Sequence, residues 1–248
     1  MARSVVFITG GNSGIGLATA LKFAQNDCDV SIMSRRQEEN EAAKTLVEQQ
    51  GVRCLTYAGN VACSGDVKAA IAQTCDQLGA INYAFNNAGV EQLHLPLDQQ
   101  SPDEYQHIMD INVKGVWLCM QQQIPRMLEA GGGAIVNTGS VASLLGSPLM
   151  PIYAASKHAV LGMSRSVALE YARKNIRVNV VCPAVVDTPM FQRYLDVKPE
   201  LKDRMAALHP MGRIGSADEV ASTVYWLCTG APWTTGQAVT VDGGFTAQ

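Results

Sequence analysis

The chain has 248 residues, a formal net charge of −3 and 47% hydrophobic residues, enough apolar content for a substantial core in one large α/β domain. With no long basic run, the charge balance excludes the electrostatic footprint of a nucleic-acid binder or of a protein drawn to an anionic membrane. No apolar stretch reaches membrane-spanning length, and the first apolar run stops at Thr9 and Gly10, too short for the core of a secretory signal.

In chain order, "VVFIT" (5–9) is the first strand candidate. It runs into "TGGNSGIG" (Thr9 to Gly16) and then the amphipathic "GLATALKFAQN". In such a strand-to-helix turn Gly10 supplies a conformation other residues avoid, Gly14 admits a phosphate to the backbone, and Gly16 lets helix and strand pack closely. Around Asn12, Ser13 and Ile15 the free amides of the helix start face an anion. The spacing is G-x-x-x-G-x-G, a weak dinucleotide signal when taken alone.

The second strand, "VSIMS" (30–34), ends where dinucleotide binding asks for an acidic residue, about 20 residues past the loop. Ser34, Arg35 and Arg36 stand there instead, and Asp29 precedes the strand. A guanidinium at this point suits a ribose 2'-phosphate, with Ser34 adding a hydroxyl. The alternative is a solvated helix start whose arginines pair with Glu38 and Glu39.

"VRCLTY" (52–57), "INYAFN" (81–86), "AIVNTGS" (134–140), "IRVNVVC" (176–182) and "AVTV" (238–241) are the remaining strands, separated by helical stretches such as "VKAAIAQTCDQLG". This alternation predicts a parallel sheet covered by helices on both faces in a single domain, residues 1–248. From Ala184 to Gly215 the alternation breaks, and an excursion beyond the carboxyl ends of the strands could form a substrate lid. The seven cysteines form no CxxC pair, as expected of reduced thiols in a cytoplasmic protein. The four histidines form no HxxxH pair, so no metal site is expected.

"YAASK" places Tyr153 and Lys157 on one face of a helix. A free tyrosine, with a pKa of about 10, exchanges protons poorly at neutral pH, and a nearby ammonium would favour its phenolate. The pair therefore has the makings of a tuned acid and base.

The glycine loop, "NNAG" (Asn86 to Gly89), Asn112 in "DINVKG", Ser140 in "NTGS", Tyr153 with Lys157, and the terminal "VTVDGG" occur in one order. Together they resemble the short-chain dehydrogenase/reductase family over essentially the whole chain. The resemblance implies a Rossmann-type doubly wound α/β fold with a mainly seven-stranded parallel sheet. It implies that Tyr153 is general acid or base, that Lys157 holds the nicotinamide ribose and lowers the tyrosine pKa, that Ser140 binds the substrate oxygen, and that Asn112 holds a relay water. Asn87, Ala88 and Gly89 would line the cofactor, Asn60 and Val61 the adenine, and Pro183, Val186 and Thr188 the nicotinamide carboxamide. Members are commonly homotetramers, and "GVWLCM" (115–120) is compatible with an interface helix.

Two positions depart from the family pattern. Asn60 replaces the usual aspartate, though its carbonyl can still accept a bond from adenine, and Ala184 replaces the glycine after Pro183. The expected cofactor is NADP(H), with NAD(H) possible, and the expected reaction interconverts a secondary alcohol and a ketone or aldehyde. An NAD-linked dihydrodiol or hydroxysteroid dehydrogenase is the second reading, and a cofactor-sensing binding protein without turnover is the third. Leu145, Leu149, Met190, Phe191, Tyr194, Leu208 and Met211 suggest an apolar or aromatic substrate, while Glu91 and His94 read as surface-loop residues, with substrate contact the alternative for each.

Overall fold

The structure is a computed structural model that describes residues 3–197 and 200–248, and the Tyr194 side chain named above lies outside the described residues. Its centre is a seven-stranded sheet, every neighbouring pair of strands parallel, in the order β3-β2-β1-β4-β5-β6-β9. These strands are β1 (Val5–Thr9), β2 (Asp29–Ser34), β3 (Cys54–Ala58), β4 (Ile81–Asn86), β5 (Gly133–Thr138), β6 (Ile176–Pro183) and β9 (Ala238–Val241). All seven match runs expected from the sequence. β3 starts two residues late because the Arg53 amide donates to the Asp29 carboxylate, at 2.9 Å, instead of to a strand carbonyl.

Both faces are covered, which is why the strands are apolar almost throughout. Along β1, Val6 and Ile8 pack with Phe23 of α1 (Gly14–Ala24), Val47 of α2 (Gln37–Glu48) and Val224 of α9 (Ala217–Thr229). Phe7, between them, points the other way. It joins Ile71 of α3 (Ser64–Leu78), Met120 of α5 (Gly115–Glu129) and Val160 of α6 (Pro151–Tyr171). Each such fully buried side chain contributes about 1.5–3 kcal/mol of transfer free energy.

Helix α4 (Pro102–Met109) continues into α5 through one π-helical turn, Asp110–Lys114, closed by Gly115 N–H donating to the Asp110 carbonyl. The 184–215 excursion holds α7 (Pro189–Val197) and α8 (Leu201–Ala207). Its ends are fastened together by two short strands, β7 (Val186–Asp187) and β8 (Gly215–Ser216), which pair in parallel. Among the described residues no helix is long and apolar enough to cross a membrane.

Candidate active site

The strand order reverses between β1 and β4, where Thr9 lies beside Asn86. From this point the glycine loop leads to α1 on one face and "NNAG" leads to α4 and α5 on the other, so a crevice opens between the two connections. Gly10 and Gly14 take φ of +64° and +51°. A Cβ on Gly16 would stand 2.0 Å from the Gly10 carbonyl oxygen, so only glycine fits there. Ser13, at the N-cap of α1, makes no side-chain capping bond and the first turn carries no acidic residue. The leading amides of α1, with Ile15 among them, are therefore open to an anion.

The other connection is tied to this loop. Thr9 Oγ1 accepts from the Asn87 and Ala88 amides at 3.0 Å, and Asn87 Nδ2 donates to the Thr9 and Gly10 carbonyls at 3.2 Å. Beneath it, buried Asn86 is bonded to Asn137 at 2.8 Å and exchanges bonds with Gln123 at 3.1 and 2.8 Å. The sequence reading missed Asn137 and Gln123, since isolated amides carry no pattern.

At the end of β2 the three expected phosphate contacts separate. Ser34 donates its hydroxyl to Asn40, which is buried in α2 and returns a bond to the Ser34 carbonyl at 3.2 Å. In the ligand-free chain this pair joins the end of β2 to α2. Arg36 is ion-paired with Glu39, the arrangement weighed as the alternative. Exposed Arg35 makes no hydrogen bond or ion pair among the described residues. Glu39 also accepts from Asn12 Nδ2 at 3.3 Å, which links the glycine loop to this corner. At the end of β3, Asn60 Oδ1 accepts from Ala62 N at 3.0 Å and Asn60 N donates to Asp66 at 2.8 Å. Val61 is buried against Gly115, where an added Cβ would meet it at 2.8 Å.

The π-helical turn carries Asn112 into the crevice. Its amide pairs with Val90 on both sides, accepting from Val90 N at 2.8 Å and donating to Val90 O at 3.0 Å, and also donates to Ser156 at 3.1 Å. Both amide protons are thus engaged, and a relay water would have to donate to Oδ1 or use the main chain. Gly89 lies close by; a Cβ there would stand 3.3 Å from Asn112 Oδ1 and 3.8 Å from Lys157 Nζ.

Ser140 follows β5, where its oxygen accepts from Ala142 N at 3.2 Å while Ser143 takes the Ser140 amide at 3.2 Å. Its hydroxyl also hydrogen-bonds Tyr153 in the crevice. Tyr153 and Lys157 sit one turn apart on α6, with Nζ 5.5 Å from the tyrosine ring centre and 2.9 Å from the Thr138 carbonyl. Burial pushes the Tyr153 hydroxyl up to about 12, outweighing a hydrogen bond with Ser140 that pulls it down. Burial likewise pushes buried Lys157 down to about 8. In the ligand-free chain the Lys157 ammonium donates to the Thr138 carbonyl at 2.9 Å.

Pro183 is buried at the end of β6, and Ala184 takes no left-handed conformation, so the missing glycine costs no backbone strain. Thr188 donates to the Val186 carbonyl at 3.3 Å, and a Cβ on Gly14 would touch Thr188 at 3.4 Å. The start of the excursion thus closes on the glycine loop. Leu145, Leu149, Met190, Leu208 and Met211 are exposed. They are not packed beneath a lid, and a substrate or partner could cover them.

Glu91, read from the sequence as a surface residue, has only 26% of its side chain exposed and pairs with Arg193 of α7 at 3.2 Å. Its neighbour Gln92 is buried and accepts from Tyr153 N at 2.8 Å. No pattern in the sequence distinguishes this segment, whose position follows from the Val90–Asn112 pairing across 22 residues.

A family model described as enoyl-(acyl carrier protein) reductase matches residues 10–246. A 2,5-dichloro-2,5-cyclohexadiene-1,4-diol dehydrogenase of Sphingobium indicum is 39% identical over 249 residues, covering 100% of this chain and 98% of that protein. The crystal structure of levodione reductase superposes with a TM-score of 0.96 at 33% identity, covering 100% of this chain and 99% of that one. The protein ElxO, solved with NADP bound, superposes with a TM-score of 0.93 at 30% identity, covering 99% of this chain and 100% of that one.

Proposed function

The chain belongs to the short-chain dehydrogenase/reductase family, and from that premise we propose that it is an NADP(H)-dependent oxidoreductase interconverting a secondary alcohol and a ketone. The observation that carries this reading is the meeting of Ser140, Tyr153 and Lys157 at one point, with Lys157 Nζ 5.5 Å from the Tyr153 ring centre. The working unit is the whole chain as one domain, with the 184–215 excursion as its substrate lid.

When bound, the nicotinamide supplies or accepts the hydride. The chain's residues manage the proton and the charge. Ser140, whose hydroxyl is hydrogen-bonded to Tyr153 in the ligand-free chain, turns it to the substrate oxygen. Tyr153, kept protonated by its burial, is a ready acid for a carbonyl oxygen that gains negative charge as it is reduced. Lys157, with its pKa pushed down to about 8, can give and take a proton near neutral pH and returns one to the tyrosine. For alcohol oxidation Tyr153 must first lose its proton.

The crevice fits a dinucleotide. Gly16 leaves no room for a side chain and the start of α1 is uncapped, and Arg35, which makes no ion pair among the described residues, supports a 2'-phosphate at the end of β2. An NAD-linked alcohol dehydrogenase is the second reading. Glu39 favours it, since its carboxylate reaches Asn12 of the glycine loop and could accept from ribose hydroxyls. A cyclic or aromatic uncharged substrate suits the exposed apolar side chains, and the Sphingobium relative is named for a cyclic diol.

A panel of cyclic and aromatic ketones and alcohols, run with all four forms of the cofactors and followed by the absorbance of reduced nicotinamide, tests the proposal. Turnover is expected to be more efficient with NADP(H). Equal or better efficiency with NAD(H) would support the second reading, and binding without any turnover would leave a cofactor sensor.

A further inference from the structure

The segment after β4 is held at three consecutive residues. Val90 is paired through both its amide and its carbonyl with Asn112, at 2.8 and 3.0 Å, and Gln92 accepts from the Tyr153 amide at 2.8 Å. Glu91 lies between them and is presented at the point where the Asn112 and Tyr153 elements meet. One of its oxygens receives Arg193 at 3.2 Å across 102 residues of chain, and the other is buried with no hydrogen-bond partner among the described residues. A carboxylate so placed is costly unless its charge serves something nearby.

We propose that Glu91 and Arg193 form a latch that fastens α7 of the lid over the active site and sets the charge felt by Tyr153. The excursion is fastened at its base by the β7–β8 pairing and near its end by Met211 N donating to the Gly243 carbonyl at 3.1 Å, while Glu91–Arg193 ties α7 itself to the segment after β4. Arg193 Nη1 also donates to the Pro189 carbonyl at 3.2 Å, which orients the guanidinium along α7.

Three groups act on the Tyr153 hydroxyl. Ser140 bonds it from the end of β5, Glu91 comes from the segment after β4, and Cys182 approaches from β6. Of these, Glu91 is the one tied to the lid among the described residues. With the latch closed, the Arg193 cation offsets part of the Glu91 charge, so lid position and tyrosine acidity become linked. The kinetic arm of the test rests on the proposed function; the structural arm does not.

Hydrogen exchange measured by mass spectrometry on the wild type, Glu91→Gln, Arg193→Ala, Arg193→Lys and the Glu91→Gln/Arg193→Ala pair tests the latch. Peptides covering residues 189–197 are expected to exchange roughly tenfold faster in each of the Gln and Ala single variants and no faster in the double, the mark of one shared interaction. Arg193→Lys should return most of the protection, and peptides from β4 and β5 should not change. The pH at half-maximal kcat/KM for cyclohexanol oxidation should fall by about half a unit or more in Glu91→Gln, as removal of a neighbouring anion requires. Unchanged lid exchange in either single variant, or additive effects in the double, overturns the latch, and an unmoved pH profile removes its link to Tyr153. If the wild type oxidises no cyclic alcohol with either cofactor, the proposed function fails while the exchange data still decide the latch.

Discussion

Arg36 is ion-paired with Glu39 one turn into α2, while Arg35 beside it has no partner among the described residues. The two arginines are therefore unequal, and a phosphate at the end of β2 would meet Arg35 first. Arg35→Ala should lower kcat/KM with NADP(H) by roughly 10- to 100-fold, the range of a lost hydrogen bond to a charged group, and leave NAD(H) nearly unaffected. Arg36→Ala should cost less than Arg35→Ala. Steady-state kinetics with both cofactors decides the matter.

Glu39→Gln separates the two cofactor readings. The change keeps a bond to Asn12 within reach but removes the anion that engages Arg36. If NADP(H) is the cofactor, its KM should fall several-fold, because a second guanidinium is released toward the phosphate and a repelling charge is lost. A rise in the KM for NAD(H) without gain for NADP(H) would instead mark Glu39 as the ribose ligand.

Gly16→Ala puts a methyl group 2.0 Å from the Gly10 carbonyl oxygen, a contact that no side-chain rotation can relieve. The loop must shift, at a cost of roughly 3 kcal/mol, the upper part of the range for overpacking. Calorimetry should show Tm lowered by roughly 6–12 °C, and the further rise in Tm on adding NADP+ should be largely lost.

Asn112→Ala strips Val90 of both its amide's acceptor and its carbonyl's donor. Each buried group left unpaired costs about 1–3 kcal/mol, so Tm should fall along with kcat. A variant with normal Tm and low kcat would show that Asn112 acts only on the proton relay and does not hold the segment carrying Glu91 and Gln92.

Features that follow from local rules were legible in advance. Tyr153 and Lys157 share a helix face because of their four-residue spacing, and the loop from Gly10 to Gly16 joins a strand to a helix because glycines permit its backbone. The seven strands were visible because burial on both faces makes them continuous apolar runs. Features set by contacts across the chain were hidden. The bond between Ser34 and buried Asn40 has no sequence signal, and Glu91 looks like a surface residue until Val90 and Gln92 are seen pinned on either side. The π-helical turn at Asp110–Lys114 and the two-residue strands β7 and β8 are too short to impose any period on the sequence.

The lowered pKa of Lys157 makes stability depend on pH. Its ordinary value of 10.5 falls to about 8 in the folded chain because burial disfavours the charged amine. Between those two values the unfolded chain binds the extra proton, so this group makes the fold more stable as pH rises through that window. Below about pH 8 the folded chain carries the buried ammonium and the whole penalty is present. Lys157→Met removes the charge, and also removes the donor to the Thr138 carbonyl, a loss of about 1 kcal/mol that does not vary with pH. The Tm of the variant relative to wild type should therefore be highest below pH 8 and decline steadily toward pH 10.5. Scanning calorimetry across that range checks it, and a difference that stays flat or grows with pH would mean that Lys157 is not held against its preference for water.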